Sequence, residues 1–406
     1  MSFVSEFGQL DLAALTSFAE NATDATVEAA LARSATETRR PSAALLADFA
    51  ALVSPKAAEP RYLDEMARSS HRLAVKHFGR VIRLFAPIYL SNECINLCKY
   101  CGFSRDNPIL RVTLKLEQVK TEADFLRGQG FRHVLLVAGE HPHFVSAKYL
   151  CQCVAMLHED WPSISLEVGP MEADEYRSCV RAGAEGLTIY QETYNRTVYD
   201  EMHAGGPKKD FNWRLETPER AAVAGFRRVG IGALLGLAPW RSEVIALMAH
   251  ANYLLKRCWR SQLTISIPRI RPAAGEFQPL AHVGDRDLVQ LVCALRLTLP
   301  EVGIVLSTRE SPKLRDGLIP LGVTMMSAGS HTEPGGYTGQ GKKESHLTKG
   351  GRAVKRMAPL IESEAEQATV QFEVADNRTP AEVAARLEKM GYEPVWKDWE
   401  AVLSEG

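Results

Sequence analysis

Three cysteines, Cys94, Cys98 and Cys101, fall within eight residues in the stretch APIYLSNECINLCKYCGFS, spaced Cys-x3-Cys-x2-Cys. Soft thiolates at this density select iron–sulfur clusters or zinc over hard cations. A zinc site takes four protein ligands, or three and a catalytic water. No fourth Cys or His stands near, since His71, His77 and His133 are all distant in sequence. Three thiolates on a four-iron, four-sulfur (4Fe-4S) cube leave one iron without a protein ligand, open to a small chelating molecule. On the triplet alone, structural zinc and unrelated free thiols stand beside this reading. The other cysteines, Cys151, Cys153, Cys179, Cys258 and Cys293, scatter and mostly fall in helical segments, as core or bystander thiols do. A disulfide framework would spread cysteines through a short secreted chain. One thiolate-bound centre in a reducing compartment fits this pattern better.

The triplet directly follows a β-rich run, VIRLFAPIYL (81–90). Seven more runs follow: HVLLVA (133–138), ISLEV (164–168), GLTIY (186–190), RRVGIGALL (227–235), LTISI (263–267), GIVLS (303–307) and LGVTMM (321–326). Helical patterns lie between them at 115–129, 146–159, 172–182, 217–225, 242–258 and 285–298. This alternation predicts an α/β fold, a (βα)8 TIM-type barrel over 81–330, although a doubly wound open sheet has the same local rhythm. Residues 1–80 read as an N-terminal helical extension. Leu63, Met66, Ala67, Leu73, Ala74 and Phe78 share one helical face there, and Gly79 can stop the helix. Residues 331–406 read as a C-terminal extension. It holds a basic, mobile loop over about 340–369, with Lys342, Lys343, Lys349, Arg352, Lys355 and Arg356. Thr379-Pro380 then opens a final helix that runs to about Met390, before Gly391.

Barrel enzymes build their sites at the C-terminal ends of the strands, so the residues there are the candidates. After the second run come Gly139, Glu140 and His141; the third carries Glu167; the fourth leads into Tyr190-Gln191-Glu192-Thr193-Tyr194. The fifth is glycine-rich, with Gly230, Gly232 and Gly236 permitting close backbone approach. The sixth leads into Arg269 and Arg271, the seventh into Arg309, and the eighth into Ser327 and Ser330. Each alone reads as an ordinary loop residue; together, in register with the cysteines, they do not. The cysteine spacing, with aromatic Tyr100 before the last Cys, is similar to the signature of the radical S-adenosylmethionine (SAM) superfamily. Glu140 can accept from the SAM amino group, and the backbone near Gly232 can lie against adenine. Arginine clamps a carboxylate with two parallel charge-assisted hydrogen bonds. Two bound amino acids, SAM and a substrate, need more than one such clamp, and Arg269, Arg271 and Arg309 supply enough.

Composition narrows the classes further. Lys and Arg number 48 against 49 Asp and Glu, so no global field points to nucleic acid or an anionic membrane. No apolar run reaches the roughly 18 residues that span a bilayer. The N-terminal MSFVSEFGQLDLAALTSFAE lacks a basic segment and an uninterrupted apolar one. A cytoplasmic enzyme is expected.

From about residue 60 to its end the chain resembles the 2-iminoacetate synthases, the tyrosine lyases of thiamine biosynthesis. The stretches that carry the resemblance are YLSNECINLCKYCGFS, LLVAGEH, IYQETY, KKDFNWRLETPERAAVAG, SIPRIRP, LSTRESPKLRD, EPGGY and EPVWKDW. The resemblance implies cleavage of the Cα–Cβ bond of L-tyrosine to 2-iminoacetate (dehydroglycine) and p-cresol, with SAM consumed to methionine and 5′-deoxyadenosine. It implies that Cys94, Cys98 and Cys101 ligate the 4Fe-4S cluster, that Tyr100, Gly139, Glu140, Glu192 and Gly232 surround SAM, and that a hydrogen atom leaves the tyrosine amino group. Arg309 and Ser327 look like the carboxylate anchors of related aromatic amino acid lyases, with Arg269 and Arg271 as second anchors. Thiazole synthase and a low-potential donor such as flavodoxin are the implied partners. A related hydrogenase maturase also cleaves tyrosine but carries a second cysteine group near its C-terminus, whereas this sequence has no Cys after Cys293.

Overall fold

Two kinds of residue alternate along the run from Val81. Leu84, Ala86, Ile88 and Leu90 are buried in the main hydrophobic core, while Phe85, Pro87 and Tyr89 line a cavity on the opposite face. That is the period of a strand, and the run forms β1 (Val81–Ser91). The structure, a computed structural model, describes residues 2–34, 41–354 and 366–396.

Seven parallel strands follow: β2 (His133–Ala138), β3 (Ser163–Glu167), β4 (Gly186–Glu192), β5 (Arg228–Ala233), β6 (Gln262–Ser266), β7 (Gly303–Leu306) and β8 (Met325–Ser327). They are hydrogen-bonded in sequence order. β8 then pairs back onto β1, with Met325 against Arg83 and Ser327 against Phe85, and closes an eight-stranded barrel. The closure decides against an open sheet. One boundary differs from the sequence pattern. The eighth run starts as a 3-10 turn, Ile319–Leu321, and Gly322 sits at φ 129°, so strand geometry begins only at Met325.

Outside the barrel lie the helices Leu116–Gly128, Ala147–His158, Ala173–Arg181, Thr217–Ala224, Trp240–Arg257 and Asp285–Thr298. The N-terminal helices share the barrel's core, through Phe49, Leu52, Tyr62 and Met66 among others. The helix Pro60–Phe78 ends at Gly79, whose φ of 67° suits only glycine without strain. Its Ser70 hydroxyl donates to the Leu321 carbonyl at 2.5 Å, beneath the strand that closes the ring.

The basic segment over about 340–369 is not the loose loop its composition predicts, as far as residue 354. His346–Lys349 pairs antiparallel with Ile109–Arg111, and Arg352–Ala353 turns back on it. Backbone pairing holds this stretch, and composition does not report backbone pairing. Lys355 and Arg356 lie outside the described residues. Beyond them, Thr379 caps the helix Pro380–Lys389 through a reciprocal pair with Glu382. The tail motif then has a structural role: β9 (Glu393–Val395) runs parallel to the start of β1. The Trp396 ring stands edge-on to Phe131, with centroids 5.0 Å apart.

Arg315 and Asp376 form an ion pair in which both side chains are wholly buried. Arg315 also donates to the Ser327 carbonyl, so the pair ties the C-terminal segment to the end of β8. Removing one partner of such a pair leaves an uncompensated charge and costs about 3–5 kcal/mol. Asp376→Ala is therefore expected to lower the urea midpoint, with a loss of unfolding free energy in that range. An unchanged midpoint would show the pair to be dispensable.

Candidate active site

At the C-terminal end of β1 the chain turns into the cysteine loop, and a set of side-chain-to-backbone bonds holds it there. Arg111 is buried and donates to the carbonyls of Asn92, Phe103 and Ser104, with Nε on the Thr348 hydroxyl at 2.8 Å. Asn96 bridges outward: its Nδ2 donates to Glu140 at 2.7 Å and its Oδ1 accepts from the Lys208 backbone N–H at 2.9 Å. Leu97–Cys98 pairs antiparallel with His203–Gly205. None of these contacts uses a cysteine sulfur.

Cys94, Cys98 and Cys101 line one chamber together with Gly139, Glu140, Glu192, Lys208, Arg214 and Gln371. Glu192 is already paired, with Lys208 Nζ at 2.6 Å and Arg214 Nη2 at 3.3 Å. Burial raises its carboxyl, but Lys208 and Arg214 more than offset this and hold it below the usual range. Glu140 accepts from Asn96. Among the described residues no group of three or more His, Cys, Asp or Glu, the three thiols included, is drawn together tightly enough to hold a single metal ion. The donor set is three thiols, with Glu192 committed to Lys208 and Arg214, which fits a cluster with one open iron better than a zinc tetrahedron. Burial pushes the Cys98 and Cys101 thiols up, and Lys208 pulls them back.

Glu192 has φ 71°, a region non-glycine residues rarely occupy. β4 bulges here, with the register against β5 shifting between Tyr190 and Glu192. A bulge at a strand end re-aims the next side chain, in this case at Lys208 and Arg214. Gly139 is fixed by crowding. A Cβ there would stand 2.3 Å from the Glu93 carbonyl oxygen and 3.2 Å from Cys94 Cβ. Gly139→Ala is expected to push the cysteine loop outward and lower the iron bound after anaerobic reconstitution. Full iron loading would show that the loop can yield.

A second chamber adjoins the first. It is lined by Phe85, Tyr89, Leu135, Arg309, Ser327 and Phe372, among others. Arg309 stacks on the Phe372 ring, its guanidinium carbon 3.4 Å from the centroid. Among the described residues no carboxylate forms an ion pair with it. Ser327 Oγ accepts from the Thr308 backbone N–H at 3.2 Å, which leaves its O–H free to donate. A stacked guanidinium and a hydroxyl donor form a receptor for a carboxylate. The aliphatic and aromatic walls suit an apolar side chain.

Not every expected residue meets these chambers. Arg269 and Arg271 line a different cavity with Gly236, His282 and Asp285. The Arg269 guanidinium is saturated by the Glu310 carboxylate, by Asp285 at 2.9 Å and by the Val283 carbonyl at 3.0 Å. It holds Glu310 next to Arg309 and has no fork left for a ligand. Tyr100 lies behind the cysteine loop, packed with Met202, Leu234 and Leu237. Its hydroxyl and His203 Nε2 are 2.8 Å apart, and His203 Nδ1 bonds the Tyr199 carbonyl. A carbonyl only accepts, so Nδ1 carries the proton and Nε2 accepts from Tyr100. Burial, reinforced by Lys208, drives His203 down to about 3 and keeps it neutral. Over Gly232 lies the Tyr190 ring, 2.4 Å from where a Cβ would be, rather than open space. Lys208, Arg214, Gln371 and Phe372 are site residues that strand-end reasoning missed. The first two fall inside the quoted KKDFNWRLETPERAAVAG stretch, whereas the last two carried no sequence signal.

The radical SAM superfamily matches residues 88–247 of this chain. The Biotin and Thiamin Synthesis associated domain matches residues 266–393. The chain is 40% identical over 357 residues to 2-iminoacetate synthase of Escherichia coli (strain K12), covering 88% of each chain. It is 39% identical to the protein of the same name from Salmonella typhimurium, again over 88% of each. Among solved structures it is similar to the FeFe-hydrogenase maturase HydG of Carboxydothermus hydrogenoformans. That likeness has a TM-score of 0.77 and 33% identity and covers 91% of this chain and 78% of the other.

Proposed function

This chain belongs to the 2-iminoacetate synthase family of radical SAM enzymes, and from that premise we infer that it cleaves L-tyrosine at the Cα–Cβ bond to 2-iminoacetate and p-cresol. SAM is consumed to methionine and 5′-deoxyadenosine, and the 2-iminoacetate supplies the thiazole moiety of thiamine. The observation that carries the reading is the pair of adjoining chambers, one lined by three thiols and the other by an arginine that forms no ion pair among the described residues.

Cys94, Cys98 and Cys101 hold the 4Fe-4S cluster, and Gly139, Glu140 and Glu192 surround SAM. A 4Fe-4S cluster on these thiols with SAM beside it would supply one-electron reduction and hydrogen-atom abstraction. The protein's own part is binding, orientation and exclusion of water. Arg309 and Ser327 take the tyrosine carboxylate. The ring packs among Phe85, Tyr89 and Leu135, and the amino nitrogen turns toward the thiol chamber. Rigid placement of this kind supplies much of the acceleration available to a reaction between two bound molecules. Gln371 lines the thiol chamber and Phe372 the second one, and both help to shield the reacting atoms from solvent. Gln371 accepts from the Tyr89 hydroxyl at 2.8 Å, and its backbone carbonyl presses against Gly102.

No helix among the described residues is long and apolar enough to cross a membrane. A cytoplasmic location, a low-potential donor such as flavodoxin, and thiazole synthase as recipient of the readily hydrolysed product complete the proposal. The test is an anaerobic turnover with SAM, dithionite and either tyrosine or tryptophan. Formation of p-cresol from tyrosine is expected. Its absence, or cleavage of tryptophan instead, would sink the reading.

A further inference from the structure

Among the described residues, Val137, Glu167 and Tyr190 alone line both chambers. They are the partition between the thiols and the carboxylate receptor. Val137 is apolar and Tyr190 a phenol, which leaves Glu167, the last residue of β3, as the one carboxylate at the junction. It forms no ion pair among the described residues and hydrogen-bonds Tyr190, whose ring lies over Gly232.

An α-amino acid gripped at its carboxylate by Arg309 has little freedom in placing its nitrogen, which is two bonds from the carboxylate carbon. To reach the thiol chamber the nitrogen must stand at this partition. A free amino acid brings an ammonium group, and a cation taken out of water needs a counter-charge. The charged and titratable groups facing Glu167 are Tyr89 from β1, Tyr190 and Glu192 from β4, Arg214 from the helix Phe211–Leu215 and Arg309 after β7. The arginines repel an ammonium group, the buried phenols stay neutral, and Glu192 is spent on Lys208 and Arg214.

Resting on the tyrosine-lyase reading, we propose that Glu167 receives the substrate α-ammonium group and removes one proton from it, leaving a neutral amine at the partition. One N–H bond breaks and one carboxyl O–H bond forms: R–NH3+ and the Glu167 carboxylate become R–NH2 and the Glu167 carboxylic acid, with no change in oxidation state. Taking a hydrogen atom from a neutral amine leaves a neutral nitrogen radical. Taking it from an ammonium group would leave a charged one between chambers that already hold Arg309 and Arg214. The carboxyl is suited to the transfer. Burial raises it to about 7, against the pull of Arg309, with Glu192 raising it and Tyr190 and Arg214 lowering it. With its carboxylate neutralised by Arg309, the substrate's α-amino group resembles a peptide's, at about 8, so the two lie within about a unit, which is the match proton transfer favours.

Calorimetric binding separates this role from a structural one. L-Tyrosine and 3-(4-hydroxyphenyl)propanoate, the same acid without its amino group, are titrated into reconstituted wild-type and Glu167→Gln protein at pH 8. The wild type is expected to prefer tyrosine by about 10- to 100-fold. Glu167→Gln should lose that preference while binding the deaminated acid as before. In turnover, wild-type p-cresol formation should rise with pH through about 7, because Glu167 accepts a proton only when ionised, and Glu167→Gln should lose this limb. Tyr190→Phe keeps the carboxylate but removes a hydrogen bond that lowers its pKa, so its limb should move to higher pH. A Glu167→Gln protein that keeps the preference, loses both ligands equally or loses SAM binding instead overturns the proposal, as does an unmoved limb in Tyr190→Phe. Each of these, alongside p-cresol from the wild type, leaves the lyase reading intact. A wild type that neither binds nor cleaves tyrosine overturns both.

Discussion

Replacing Cys94, Cys98 and Cys101 together with Ala is expected to give a colourless protein that binds no iron and leaves SAM intact, while its fold and melting temperature stay close to wild type. The first half follows from the donor set. Glu192 is held by Lys208 and Arg214, and Glu140 by Asn96. A cluster short of its thiolates would have to draw on carboxylates, which are poorly matched to it in softness. The second half follows from what fixes the loop. Arg111 on three carbonyls, Asn96 on Glu140 and the Leu97–Cys98 pairing are all independent of sulfur. The wild type should carry about four irons and a brown colour after anaerobic reconstitution. Iron analysis, absorbance and 5′-deoxyadenosine formation measured on one preparation decide the matter. SAM cleavage surviving in the triple variant would remove the basis of the whole reading.

How far the sequence alone reaches differs between strands and site. Barrel strands were legible because each is a short apolar run whose faces alternate between core and cavity, as Leu84 and Phe85 do in β1. Helix ends were legible where a cap is local: Gly79, and Thr379 with Glu382. Strand-end residues such as Glu140 and Glu192 were legible because the barrel puts every C-terminal strand end on one face. What was not legible is which of several similar residues is free. Arg269 and Arg309 both follow a strand, and nothing local separates them. Glu310 and Asp285 decide it by saturating Arg269, and that fact belongs to tertiary structure. Gln371 and Phe372 were hidden for the same reason. They reach Tyr89 and Arg309 from a segment with no regular structure of its own, so no periodicity marked them. The segment around His346 read as a loop because its order comes from pairing with Ile109–Arg111, more than two hundred residues earlier in the chain.

On the proposed reading Arg309 is the residue on which substrate binding turns, and Arg309→Lys is expected to be almost as damaging as Arg309→Ala. Losing one partner of a desolvated charge pair costs about 2–5 kcal/mol, which is about 30- to 4000-fold in binding or rate. Lysine restores the charge but neither the planar fork that meets both carboxylate oxygens nor the flat face that stacks on Phe372. Ser327 cannot compensate, because one hydroxyl supplies one donor. The defect should fall on one chamber only. Arg309 does not line the cavity that holds the cysteines, so cluster loading and slow tyrosine-independent cleavage of SAM should persist in both variants. The diagnostic quantity is the ratio of p-cresol to 5′-deoxyadenosine in the same reaction. It should drop by at least about tenfold in Arg309→Lys, and raising tyrosine should recover it in part as weakened binding is overcome. Phe372→Leu keeps the guanidinium but removes the ring beneath it. A cation–π contact contributes about 0.5–2 kcal/mol, so that variant should show a raised KM for tyrosine with kcat little changed. An Arg309→Lys enzyme with wild-type KM and an unchanged product ratio would mean that the tyrosine carboxylate is held elsewhere, and the division of labour between the two chambers would fall with it.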